Sequence, residues 1–163
     1  MSFVVSDSSP IQYLIFCRAV DVLPRLYDRV ILPASVAKEL SHPRTPAEIK
    51  TWLSAPPAWI SVQSAKEIAP IAGLGLGERE AISLAEELNA TQLLIDEQAA
   101  RRVALERGLR FSGTVGILEQ AAARRLLDLP NALKLLLGTN FRIDVEVVRN
   151  ALARDAVRRK STP

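Results

Sequence analysis

Four acidic residues stand where apolar segments of the chain begin or end. They are Asp7, Glu39, Glu78 and Asp96. A carboxylate beside an apolar core costs free energy unless it finds hydrogen bonds or a cation. If the segments alternate as strands and helices, all four side chains can converge at one end of a parallel sheet. Because hard cations such as Mg²⁺ take oxygen ligands, we first interpret the chain as a metal-dependent enzyme.

The segments that must position these acids indicate an α/β fold with a mostly parallel sheet. Short apolar runs, typical of strands buried on both faces, predict strands at residues 3–5, 29–32, 59–62, 93–95 and 109–111. Helices are predicted at residues 10–17, 33–40, 47–53, 78–88, 97–107, 114–127, 130–137 and 145–157. Ser9 and Pro10 fit the N-cap and first position of the first helix, which leaves Asp7 spare after the first strand. The C-terminal residues 158–163, of which the first three are basic, are expected to fray.

Each acid also has a simpler explanation. Asp7 and Asp96 could cap the helices that follow them, and Glu39 could be an ordinary exposed residue near a helix C-terminus. Glu78 could merely favour the helix dipole. Helical phase places Glu78 at the edge of an apolar face, whereas Glu80 points well away from it. We therefore expect Glu80, with Glu86 and Glu87, to be solvated.

Length and composition limit the classes of protein to which the chain can belong. The 163 residues suit one domain with a substantial core, and the net charge of +3 favours a polyanionic partner only weakly. The single cysteine, Cys17, lies in an apolar run and is expected to be a buried thiol in a reducing compartment. Neither a signal peptide nor an apolar run of membrane-spanning length is evident, so we predict a cytoplasmic protein with no membrane partner.

Several motifs occur in order along the first four-fifths of the chain. They are residues 4–10, residues 31–33 with Glu39 following, residues 75–85, residues 94–101 and residues 113–118. The ordered set resembles the PIN-domain nucleases, and within them the VapC-like toxin branch of type II toxin–antitoxin pairs. The third acid of the wider superfamily is usually aspartate, so Glu78 departs from that pattern.

This resemblance implies a three-layer α/β/α fold, with a PIN-like nuclease domain over residues 1–140 and a C-terminal helix and basic tail over residues 141–163 packed on it. It implies an endoribonuclease in which Asp7, Glu39, Glu78 and Asp96 hold Mg²⁺ or Mn²⁺. The site neighbours that it suggests are Ser9, Glu97, Arg101 and Thr114. An N-cap role is the alternative for Thr114.

The resemblance also implies an RNA substrate, a small antitoxin protein that silences the toxin, and a homodimer. A mean hydropathy of +0.13 is consistent with self-association. Single-stranded or looped RNA fits best, because an A-form duplex hides its base edges in a deep, narrow groove. Arginines such as Arg101 and Arg124 could contact its backbone, whereas Arg102, Arg125 and Lys160 are expected on solvated faces.

Three other functional classes share some of these sequence features. A catalytically inactive PIN-like binding module stays possible on sequence alone. A Mg²⁺-binding phosphoacceptor domain would want two acids after the first strand and a late lysine, but Asp7 is alone there. A nucleotide-binding loop would need a glycine at Glu78 to complete G-x-G-x-x-G after Gly73 and Gly75.

Overall fold

A computed structural model of the chain describes residues 2–161. The strands are β1 (Phe3–Ser6), β2 (Arg29–Pro33), β3 (Ile60–Gln63), β4 (Gln92–Leu94) and β5 (Phe111–Ser112). The helices are α1 (Ser8–Phe16), α2 (Leu23–Leu26), α3 (Ala34–Leu40), α4 (Ala47–Ser54), α5 (Leu76–Leu88), α6 (Gln98–Glu106), α7 (Thr114–Ala123), α8 (Leu129–Leu137) and α9 (Val145–Lys160), with a 3₁₀ turn at Val20–Val22.

The five strands form one parallel sheet in the order β3-β2-β1-β4-β5. The central strand β1 pairs with β2 on one side and β4 on the other, so Val5 lies between Ile31 and Leu93. The chain first builds outward from β1 to β3 and then returns to add β4 and β5. The strand order therefore reverses between β1 and β4, and ligands of open α/β sheets bind beyond the strand carboxyl ends at such a point.

Helices cover both faces of the sheet, and each face has its own apolar core. Val4 packs with α1, α3, α7 and α8 residues on one face, whereas Val5 packs with α5 and α6 residues on the other. Alternate residues of a strand point to opposite faces, so a strand covered on both sides needs apolar residues in succession. This explains the continuous apolar runs and confirms the predicted three-layer α/β/α fold.

Several element boundaries differ from the prediction. Helix α1 begins at Ser8, so Asp7 rather than Ser9 occupies its N-cap position, and Pro10 is the third helical residue. Helix α5 begins at Leu76, because Gly75 is its N-cap and the Glu78 carboxylate accepts the Gly75 N–H at 2.8 Å. Helix α7 ends at Ala123, earlier than predicted, and Arg125 has a left-handed backbone with a φ of 59°.

The C-terminal helix extends further than predicted. Residues 158–160 belong to α9, which packs against α7 and α8. Arg159 pairs with Asp128 at 2.6 Å and with Asp155 at 2.9 Å, and Arg154 forms two 2.9 Å bonds to Glu119. These ion pairs order the basic residues that were expected to fray, whereas residues 162 and 163 lie outside the described part of the chain.

The exposure of the surface basic residues and the burial of the cysteine agree with the prediction. Arg102, Arg125 and Lys160 are exposed, and Cys17 is buried, which raises the pKa of its thiol to about 11. Among residues 2–161, no helix combines the length and apolar character needed to cross a bilayer.

Candidate active site

Asp7 lies at the carboxyl end of the central strand β1 and is only 6% exposed. Although it occupies the N-cap position of α1, its side chain makes no capping hydrogen bond. The pKa of its carboxyl is raised to about 7, mainly by burial and also by the negative charges of Glu78, Glu39 and Asp96, against the lowering effect of the Ser8 N–H. The other three predicted acids are therefore close enough to act on Asp7 electrostatically.

Glu39 and Glu78 approach Asp7 from one side, across Gly77. A methyl group at Gly77 would lie 3.2 Å from Glu39 Oε2 and 3.5 Å from Asp7 Oδ1. The absence of a side chain at Gly77 thus lets the start of α5 fit against both carboxylates. Glu39 is exposed and accepts a long hydrogen bond from Ser8 Oγ at 3.4 Å.

Asp96 approaches from the other side and is held by three hydrogen bonds. Ser9 Oγ and Thr114 Oγ1 each donate to Asp96 Oδ2 at 2.7 Å, and the Thr114 N–H donates to Oδ1 at 2.7 Å. Asp96 therefore bridges the first turns of α1 and α7 instead of capping α6. Thr114 is not an N-cap either, since Gly113 occupies that position.

Arg101 reaches the same place from α6. Its Nε donates to the Ile95 carbonyl at 2.9 Å, its Nη2 lies 3.9 Å from Asp96 Oδ1, and its guanidinium lies 5.7 Å from the Phe111 ring centroid. A methyl group at Gly113 would overlap this guanidinium. The sequence places no basic residue next to Asp96, and only the fold brings this cation beside it.

Glu97 is the most peripheral of the suggested neighbours. It is exposed at the N-cap position of α6 and makes no capping hydrogen bond. It lines the larger of two cavities that open onto the acidic residues. Glu97 is thus beside the site but is not drawn into the hydrogen bonds that hold Asp96.

The prediction that Glu80 is solvated was wrong. Glu80 is 3% exposed, and its carboxylate accepts the backbone N–H groups of Ser35 at 2.8 Å and Ala65 at 3.2 Å. The chain after β3 lies along the outer face of α5, and two further α5 side chains accept N–H groups from it. They are Ser83, from Ala69 at 2.9 Å, and Glu87, from Lys66 at 2.8 Å.

A sequence signal for this second buried face was present. The acceptors at positions 80, 83 and 87 follow the i, i+3, i+7 spacing of one helix face. The apolar face of α5 that packs on the sheet gives the stronger periodic signal, and these polar acceptors lie outside it. Of the two other glutamates expected to be solvated, Glu86 is partly exposed and forms a 2.9 Å ion pair with Arg107, whereas Glu87 is partly buried and accepts the Lys66 N–H.

Two cavities meet at the acidic residues. The larger, of about 980 Å³, extends from Asp7 and Asp96 towards the segment between α8 and α9. The smaller, of about 490 Å³, extends from Asp7 and Glu39 along α3. Both include Asp7, Ser8 and Glu78 in their walls. A long ligand could therefore enter on one side of Asp7 and leave on the other.

The residues around Asp7 fit a hard divalent cation in their chemistry. They offer carboxylate oxygens, and the pKa of Asp7 is raised mainly by burial and further by the neighbouring carboxylates, whose negative charge a bound cation would offset. Within residues 2–161, no three acidic, histidine or cysteine side chains already stand together as a ready ligand group. Asp96 would coordinate the cation through its carboxylate oxygens while Ser9 and Thr114 continue to donate hydrogen bonds to it.

A parallel α/β sheet with four carboxylates beyond the strand ends defines the class of PIN-like folds. A family model described as a PIN domain (DUF3368) matches residues 3–156, and the chain belongs to this family of PIN domains. PIN domains are generally nuclease-like and typically use divalent metals. The family resemblance noted in the sequence is thereby confirmed at the level of the PIN domain.

A solved structure shares the fold. The chain is similar to a PilT N-terminus domain protein from the hyperthermophilic archaeon Sulfolobus solfataricus P2, with a TM-score of 0.51 and 16% sequence identity over 87% of this chain and 99% of that one. At this identity the likeness concerns the fold alone. No curated protein matches the chain.

Proposed function

We propose that the protein is a divalent-metal-dependent endoribonuclease that hydrolyses RNA phosphodiester bonds. The observation that carries this proposal is the surrounding of buried Asp7 by three more carboxylates at the carboxyl edge of the sheet. Such a site favours a cation over a substrate anion. A nuclease of the PIN family with an oxygen-rich site needs that cation to approach a phosphodiester.

Asp7, Glu78 and Asp96 would hold Mg²⁺ or Mn²⁺, with Glu39 as a further ligand or a water-mediated neighbour. When bound, the ion would activate water and offset charge on the phosphoryl oxygens. The side chains that would hold the ion are positioned by the fold. Ser9 and Thr114 hold the Asp96 carboxylate by hydrogen bonds, and the absence of a side chain at Gly77 leaves room for Glu39. Asp7 must give up the proton that its raised pKa favours before it can bind a cation.

Arg101 is suited to contact the phosphate that lies next to the cleaved bond. Its guanidinium is anchored through Nε to the Ile95 carbonyl, so its position is fixed while part of the fork stays directed at the site. Such anchoring reduces the entropy lost when a phosphate binds. Glu97, exposed beside Arg101, would modulate the local charge without holding the cation.

We further propose that the protein is a toxin of the VapC-like branch, silenced by a small antitoxin protein. Its RNA would be single-stranded or looped, because such RNA can bring a phosphate to Asp7 with its bases turned outward. The motifs that resemble this branch support the proposal, and the two open cavities beside Asp7 are compatible with it.

The test compares the wild-type chain with Asp7→Asn on a pool of unstructured RNA, with and without Mn²⁺. We expect internal cleavage only with the metal and a loss of at least about 100-fold in Asp7→Asn, because a ligand that holds the ion is removed. Expression of the wild type, but not of Asp7→Asn, should arrest bacterial growth. Asp21→Asn, which changes an exposed carboxylate away from the site, is the matched control.

Cleavage that persists in a chelator, or that Asp7→Asn leaves unchanged, would contradict the proposed nuclease. RNA binding by the wild type without any cleavage would instead support the binding-module alternative. Cleavage without growth arrest would contradict the toxin assignment and leave the enzymatic one standing.

A further inference from the structure

The two cavities beside Asp7 each have an exposed basic residue in their walls, one on either side of Asp7. Arg142 lines the larger cavity, in the segment between α8 and α9, and Lys38 lines the smaller one, on α3. Both side chains are exposed, and within residues 2–161 neither has an ion-pair partner among the observed bridges. These two charges are therefore available to a ligand.

The acids near Arg142 are already engaged. The Glu119 carboxylate takes two hydrogen bonds from Arg154, each at 2.9 Å. The Asp144 carboxylate accepts the Glu146 N–H at 2.9 Å and caps α9, where the helix dipole favours its charge. Neither carboxylate forms an ion pair with Arg142 in the described part of the chain, and the Arg142 guanidinium remains open to the larger cavity.

The segment that carries Arg142 is fixed to the body of the protein. Tyr13 Oη on α1 donates to Asn140 Oδ1 at 2.9 Å, and the Tyr13 ring meets the Phe141 ring edge to face with centroids 4.6 Å apart. Aromatic pairs and hydrogen bonds of this kind hold a loop in one position. The backbone that carries Arg142 is consequently held in one position, as is required of a residue that positions a ligand.

Lys38 occupies the corresponding place on the opposite side of Asp7. It lies in the last turn of α3, one residue before Glu39, and His42 lines the same cavity beyond it. The two cavities join at Asp7, Ser8 and Glu78. A strand that runs through both would meet Arg142, pass the carboxylates and then meet Lys38.

We propose that a single RNA strand crosses the site in this way, with Arg142 and Lys38 contacting phosphates on opposite sides of the bond at Asp7. This inference rests on the proposed function for the identity of the ligand, and it adds the path and two positioning residues. Phosphate contacts fix a strand in register without reading its sequence. Both side chains should therefore affect affinity for different RNA sequences to a similar extent.

The experiment measures binding of unstructured RNA to the inactive Asp7→Asn protein, alone and with Lys38→Gln or Arg142→Gln. Each added change should weaken binding about two- to fivefold at low salt, as expected for an exposed ionic contact. Each should also reduce the slope of log affinity against log salt by about 0.7, the value for one phosphate contact on a single strand. Lys134→Gln and Arg102→Gln are matched controls, since these exposed residues line neither of the two cavities.

Shortening the RNA from one end at a time then tests whether the contacts lie on opposite sides. Removal of nucleotides from one end should abolish the effect of Lys38→Gln, and removal from the other end should abolish that of Arg142→Gln. The path would be overturned if both effects vanished on shortening the same end, or if neither variant differed from its control. Because the protein is already inactive, absence of cleavage in the wild type would overturn only the proposed function.

Discussion

At the scale of single residues, the chemistry centres on the carboxyl of Asp7. Its pKa is raised to about 7, mainly by burial and further by three neighbouring carboxylates. An acid in this state is half protonated near neutral pH, and protons and metal ions compete for the same oxygens. Asp7 therefore couples occupancy of the site by a cation to pH.

The raised pKa of Asp7 predicts a specific dependence of stability on pH. Between pH 3.8, the ordinary value, and about pH 7, the folded chain holds this proton more tightly than the unfolded chain does. The free energy of unfolding should consequently fall as pH rises through this window. Asp7→Asn cannot ionise, so its advantage over the wild type should grow across the window by at most about 4 kcal/mol.

Urea denaturation in the presence of a chelator, at a series of pH values, measures this difference. Asp21→Asn is the control, because its exposed carboxylate lies outside the site. A difference between Asp7→Asn and wild type that does not change between about pH 4 and pH 7 would mean that Asp7 titrates normally.

At the scale of elements, α5 carries two glutamates with different tasks. Glu78 caps the start of the helix and borders Asp7, while Glu80 accepts backbone N–H groups from the first turn of α3 and from the segment after β3. The two carboxylates are separated by less than one helical turn. The one at the helix start is open to both cavities, and the other is enclosed by chain from two directions.

This division predicts opposite outcomes for Glu78→Gln and Glu80→Gln. Glu80→Gln should reduce the free energy of unfolding by about 1–3 kcal/mol, because Ser35 and Ala65 donate to different carboxylate oxygens and one of these is replaced by an NH2 group that cannot accept. Glu78→Gln should lower metal-dependent RNA cleavage with a smaller effect on stability. Chemical denaturation and cleavage assays at matched folding separate the two, and Glu106→Gln on α6 is an exposed control.

Equal loss of cleavage in folded samples of both variants would contradict this division. It would place Glu80 in the catalytic site, despite its enclosure. Unchanged stability in Glu80→Gln would show that the amide oxygen serves the Ser35 and Ala65 N–H groups as well as the carboxylate does.

At the scale of the whole molecule, most large apolar side chains are buried in the cores on the two faces of the sheet. Eight large apolar side chains in the described part of the chain are nevertheless exposed. Four of them lie on α8 and in the first turn of α9: Leu135, Leu137, Val145 and Val147. These two helices follow each other in the chain and contact each other, and exposed apolar residues on neighbouring elements are typical of an interface.

We accordingly predict that the chain pairs with itself. Light scattering should give a mass near twice the 17.9 kDa of one chain as concentration is raised. A monodisperse monomer at high concentration would contradict self-association. Repeating the measurement at high salt distinguishes apolar pairing, which salt does not weaken, from pairing through surface charges.

The sequence by itself determined the α/β class and the order of the acids along it. Continuous apolar runs and the breaks between them are local features, so they place Asp7 after β1 and Asp96 after β4 without any knowledge of distant contacts. That these two residues meet is decided by the fold, which makes β1 and β4 neighbours with their carboxyl ends at one edge of the sheet.

Only the tertiary structure decided what surrounds each side chain. Glu80 is buried because residues 64–72 fold back over α5, and Arg101 lies beside Asp96 because α6 returns towards β5. Helical phase describes one face of one element and contains no information about the segment that covers the opposite face. Burial and electrostatic environment depend on contacts between residues far apart in sequence, and these contacts exist only once the chain has folded.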